Sequence, residues 1–177
     1  MNPFLDALHG WQNFYFMLGG ASGGLLGLMF VAISLAMQFV EKTSKGEFRA
    51  FVTPSVIYLV SGMLIACVML VPAYAAPVLA LILAGFGVTG LIIIAESVRG
   101  LIRAARAQSD FDRWEWLTQV FMPPIGYGVY IAAAACLLFD QHELALVLIW
   151  VGSTTLLIAG IANTWSLILW IVSHRIE

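Results

Sequence analysis

No charged residue occurs between Trp11 and Val40, and four later stretches of the chain are almost as apolar. A helix needs about 20 apolar residues to cross the hydrocarbon core of a bilayer. Runs of that length predict five helices, near residues 15–40, 53–71, 78–97, 117–138 and 145–172. The polar segments between them are too short to fold alone. The pattern therefore predicts an all-α integral membrane protein whose residues 1–177 form a single membrane domain, with no soluble domain.

The basic residues orient these spans. Lys42, Lys45 and Arg49 follow the first; Arg99, Arg103, Arg106 and Arg113 follow the third; Arg175 follows the fifth. The N-terminal tail and the turns around "VPAYAAP" and "FDQHELA" carry no lysine or arginine. By the positive-inside rule the N-terminus is outside and the C-terminus cytoplasmic. The tail "MNPFLDALHG" lacks the basic region of a signal peptide and is expected to be retained. Thr53-Pro54 reads as the start of the second helix. Pro123-Pro124 reads as a kink in the fourth, and Trp150 and Trp170 mark two interfacial belts. Pro54…Cys67 and Pro123…Cys136 share a spacing, and Gly-x-Thr recurs at Gly87 and Gly152. Together these suggest two related hairpins in a parallel repeat.

Composition agrees with the pattern. The chain is 62% hydrophobic and 10% charged, with mean hydropathy +0.96, whereas soluble domains are about 25% charged. A net charge of -2 says little about partners, and nucleic acid is not expected. Cys67 and Cys136 lie inside apolar runs and give no disulfide framework. His9, His142 and His174 fall at span ends, so neither a metal nor a cofactor is expected.

The densest signal is "LGGASGGLLG", residues 18–27, with five glycines. Gly19, Gly23 and Gly27 recur every four residues, with Gly20 and Gly24 beside them. In lipid, helices associate through close backbone approach over small residues, so the stripe predicts a packing face with Gly23 at its centre. Rows of matching period occur at Ala76, Ala80 and Ala84 and at Gly128, Ala132 and Cys136. The contact is either within a chain or between copies. Ser22 sits in a G-x-S-G resembling that of rhomboid intramembrane proteases, but no span supplies the histidine base that such a serine needs. Gly126-Tyr127-Gly128 resembles part of a potassium-channel filter without its threonine.

Polar residues inside spans must face protein or water. Ser34 and Gln38 continue the first helix's stripe, while Thr155, Asn163 and Ser166 lie along the fifth. Asn163 is either interhelical glue or the lining of a polar path. Glu96 pairs by spacing with Arg99 and Arg103. Arg99, Arg103 and Arg106 are placed to meet anionic lipid headgroups, or else to form a charged mouth.

The run Trp11-x-x-Phe14-Tyr15, Gly19-Gly20 and Gly27-Leu28-Met29-Phe30-Val31-Ala32-Ile33-Ser34-Leu35 resembles a family of small multi-span bacterial inner-membrane proteins. The likeness is strongest over the first 40 residues or so, and it implies a bacterial inner-membrane location without implying an activity. The leading expectation is an oligomeric pore or small-solute pathway lined by helices one and five. The alternative is a non-catalytic accessory or scaffold subunit of a larger membrane complex, and third comes an intramembrane serine hydrolase. A homo-oligomer is expected, and catalysis is not.

Overall fold

The computed structural model describes residues 3–36, 45–71, 75–105 and 116–173. Every regular element among them is helical. They are α1 (Pro3–Ala36), α2 (Lys45–Leu70), α3 (Ala76–Ala105), a π-helical segment (Trp116–Phe121), α4 (Met122–Leu138) and α5 (His142–Ser173). Four helices contain stretches long and apolar enough to cross a membrane: Ala7–Ser34, Val52–Leu70, Ala76–Ala95 and His142–Ser166. The chain is thus a membrane-embedded helical protein. With 17 residues, α4 is about 25 Å long, short of a hydrocarbon core of about 30 Å. The π-helical segment runs directly into it and extends the helical rod.

One expectation about prolines is corrected. Pro54 does not open α2, because the helix begins at Lys45 and Pro54 stands inside it. A proline there frees the carbonyl of residue 50, four positions back. That carbonyl lies before the apolar span, which starts at Val52, so water can take the bond. Pro123 and Pro124 stand just inside the start of α4, where the π-helical segment passes into the α-helix.

Helices α2, α3, α4 and α5 stand in a ring in chain order. α3 packs on α4, α4 on α5 and α5 on α2, while the edge between α2 and α3 is nearly unpacked. α1 lies outside the ring, against α2 and more lightly α5. Close pairs show antiparallel neighbours: Gly19 opposite Ala66 and Ser22 opposite Gly62, and Gly87 opposite Ile131 with Gly90 opposite Tyr127. The α4–α5 turn closes tightly, with Asp140 at φ 58° and the Gln141 N–H donating to the Cys136 carbonyl at 2.9 Å. Aspartate tolerates that left-handed conformation better than most residues. Leu83, Tyr130, Ala133, Ile149 and Leu156 are wholly buried at the centre.

The two hairpins are not structural equivalents. α4 and α5 pack tightly, whereas α2 and α3 barely touch. Pro54 stands ten residues into its helix, while Pro123 is the second residue of α4. The shared Pro…Cys spacing therefore marks different positions in the two hairpins.

Candidate functional site

The glycine stripe of α1 divides between two surroundings. A Cβ built on Gly19 would stand 3.2 Å from that of Ala66 on α2. At Gly23 the nearest atom is Met63 Sδ at 4.0 Å, and at Gly27 nothing lies within 4 Å. Four residues advance a helix by about 40° more than one turn, so the stripe rotates off α2 as it descends. Gly20 and Gly24 also have nothing within 4 Å, and with Gly27 they are exposed. Phe16, Met17 and Val31 flank them, each more than half exposed. Of the two placements left open for this face, within a chain or between copies, only Gly19 makes a tight contact within the chain, and the rest is mostly an outer edge.

On α4 the tight contacts within the chain fall on a different face from the Gly128–Ala132 row. Gly128 has nothing within 4 Å and Ala132 is exposed. The packing is made instead by Gly126, about 200° round the helix from Gly128. A Cβ on Gly126 would stand 2.9 Å from Leu156, and one on Gly152 would stand 3.0 Å from the Gly126 carbonyl. From the other side Gly87 would meet the Tyr127 carbonyl at 2.8 Å, and Gly90 lies directly against the Tyr127 ring. α4 is therefore held at a glycine waist between α3 and α5. On α3, Ala80 is buried and Ala76 and Ala84 pack against the core.

Among the described residues, Asn163, Thr155, Ser34 and Ser166 do not line a common space. Asn163 is 2% exposed, and its Nδ2 donates to Ser55 Oγ at 2.8 Å, joining α5 to α2. Thr155 Oγ1 donates to the Val151 carbonyl and Ser34 Oγ to that of Phe30, both at 2.8 Å. Ser34 is exposed and Ser166 half-buried. Glu96, Arg99 and Arg103 lie on the described backbone of α3 near its C-terminal end. Gln38 and Arg106 lie outside the described residues. Ser22 is fully buried, its Oγ 2.6 Å from where a Gly62 Cβ would stand. No hydrogen-bond partner reaches that Oγ among the described residues. His142 Nε2 lies 3.9 Å from Asp140 at the α4–α5 turn. No group of three His, Cys, Asp or Glu that could hold a metal occurs among the described residues.

A set of buried tyrosines was not singled out by sequence reasoning. Tyr15, Tyr58, Tyr127 and Tyr130 are each at most 3% exposed. Tyr127 Oη is 2.5 Å from Ser61 Oγ on α2, and Tyr130 Oη is 3.1 Å from Ser153 Oγ on α5. Phe86 of α3 lies against both α4 rings. The available signal was position. Membrane tyrosines concentrate at interfaces, so Tyr58, Tyr127 and Tyr130, well inside apolar runs, needed hydroxyl partners on neighbouring helices.

Two grooves open sideways from the bundle. One, of about 250 Å³, lies between α1 and α5 and includes Leu28, Ala32, Thr164 and Trp165. The other, of about 330 Å³, is the open α2–α3 seam, with Val60 and Leu64 on one wall, Phe86 and Ile93 on the other, and Tyr127 in its floor. The geometry defines a helical membrane protein with an open glycine edge and two lateral apolar grooves. No family model matches the chain, and no curated protein or solved structure is detectably similar to it.

Proposed function

We propose that the chain is a non-catalytic assembly subunit of the bacterial inner membrane, docking a further transmembrane helix onto the outer edge of α1. The observation that carries this reading is the empty space beside Gly20, Gly24 and Gly27. Glycine in a helix interior costs about 0.5–1 kcal/mol relative to alanine, and no neighbour among the described residues approaches these three closely. Small residues at four-residue spacing are the feature by which helices approach closely in lipid. Support also comes from α1 being the least buried of the four long spans.

The docked helix belongs either to a second copy or to a larger complex, and cross-linking separates these. In a background lacking Cys67 and Cys136, Gly24→Cys is expected to form a disulfide-linked dimer on mild oxidation if copies pair. A monomer that brings down one different membrane chain assigns the edge to a complex. A lone monomer with neither overturns the proposal.

The second reading, a pathway for an ion or small solute, places its lumen between copies, because Ser34 is exposed towards the C-terminal end of α1. Ion flux into liposomes distinguishes it from simple assembly. The basic residues further support an outside N-terminus and a cytoplasmic C-terminus. A cysteine at Ser44 should then resist an impermeant thiol reagent in intact cells while one at Gln141 reacts.

A further inference from the structure

We propose that the open α2–α3 seam holds one acyl chain of an anionic phospholipid, whose headgroup sits at the basic ends of the same two helices. The bundle leaves this seam unclosed although α2 and α3 are consecutive, and Tyr127 reaches its floor from α4. The Tyr127 hydroxyl pairs with Ser61 and its ring lies on Gly90. The floor is therefore fixed by its own contacts, and the space above it belongs to an outside occupant.

Shape and chemistry favour that occupant. The seam is a narrow groove of about 330 Å³ between two consecutive helices, a space suited to a slender chain. The walls are aliphatic and aromatic, including Val60, Leu64, Phe86 and Ile93. At bilayer depth, a lipid tail is the slender apolar chain always at hand.

Charge selects the headgroup. α2 begins with Lys45 and Arg49, and α3 carries Arg99 and Arg103 near its end. The two helices run antiparallel, so these four residues lie at one end of the seam. Arg49 stands seven residues from Val56, and Arg99 stands six from Ile93, about 10 and 9 Å along the helices. Val56 and Ile93 both line the groove. An anionic headgroup thus lies within reach of basic positions on both walls while its tail follows the seam.

The test uses the full chain in nanodiscs of equal phosphatidylglycerol and phosphatidylcholine, released into a mass spectrometer that counts retained lipids. Basic residues near a membrane surface favour anionic lipid by about 1 kcal/mol each, so Arg49 and Arg99 together are expected to give wild type one retained phosphatidylglycerol with a preference of roughly thirtyfold. Thr89 is exposed in the groove wall, so Thr89→Trp fills the seam and should abolish retention. Ile92→Trp places the same ring at a residue 60% exposed and not part of the groove; it should retain lipid as wild type does. Arg49→Gln with Arg99→Gln should keep a lipid but lose the preference. Melting temperature is measured on every variant. Equal retention by wild type and a folded Thr89→Trp, or no preference in wild type, overturns the proposal. If Thr89→Trp does not fold, Val60→Phe replaces it with the same two outcomes.

Discussion

The outer edge of α1 and the waist of α4 are both rich in glycine, yet they sit in opposite surroundings. At the waist, a methyl added to Gly87 or Gly152 would press on a backbone carbonyl, and at Gly90 it would enter the Tyr127 ring. On the outer edge, a methyl at Gly20, Gly24 or Gly27 would meet nothing. The same residue type therefore serves closure within the chain in one region and leaves a surface available in the other. Spacing alone does not separate the two cases, because the partner decides which one applies.

The largest expected effect comes from breaking the waist. Gly90→Ala forces the Tyr127 ring away from α3 and threatens its bond to Ser61. Overpacking of this kind typically costs 1–3 kcal/mol and sometimes more. We expect a loss of about 3 kcal/mol in unfolding titrations, with Gly24→Ala beside it more stable than wild type by about 0.5–1 kcal/mol. Comparable stability of the two would erase the contrast.

Interhelical polar bonds come next. Asn163→Leu should cost roughly 0.6–2 kcal/mol by removing the bond to Ser55. Adding Ser55→Ala to that variant should cost less than it does in wild type, since the pair is already broken. Additive losses in a double-mutant cycle would contradict a direct link between α2 and α5. Flux into liposomes, if wild type shows any, should survive Asn163→Leu, because the amide is 2% exposed.

A smaller effect is expected from Tyr127→Phe. The ring keeps its contacts with Gly90 and Phe86, and Ser61 still donates to the Ile57 carbonyl at 2.7 Å. A loss below about 1 kcal/mol follows from the usual net worth of one hydrogen bond. A loss as large as that of Gly90→Ala would mean the hydroxyl, not ring packing, holds the waist.

The helical, membrane-embedded character of the chain was legible because it depends on run length and hydropathy alone, which are local. Four of the long spans follow directly from such runs. The proline positions were not legible, because whether Pro54 starts a helix depends on where the preceding carbonyl can find water. The glycine pattern was half legible. "LGGASGGLLG" marks a face for close approach, but Gly19 alone lies tight against α2, because the row rotates as it descends. Gly126 and Gly152 stood out only within other patterns, and their packing role was missed because their close approach arises between helices, where no sequence period records it. The buried tyrosines were visible as mid-span hydroxyls, but pairing Tyr127 with Ser61 and Tyr130 with Ser153 required the ring order of the helices. For Asn163 the sequence left glue or lining open, and only the ring order of the helices brings it to Ser55, to which it donates between α5 and α2.

The central claim is that the α1 edge docks another helix while the waist holds the fold, and Gly24→Leu addresses both halves at once. Particle mass by light scattering, with the detergent contribution subtracted, is measured for wild type and for Gly24→Leu, together with their melting temperatures. Wild type should be heavier than one chain, through a second copy or a co-purifying partner. Gly24→Leu should fall to the mass of a single chain and melt at or above the wild-type temperature, since leucine there meets open space and favours the helix. An unchanged mass in Gly24→Leu, or a wild type that is itself a lone chain, would contradict the claim.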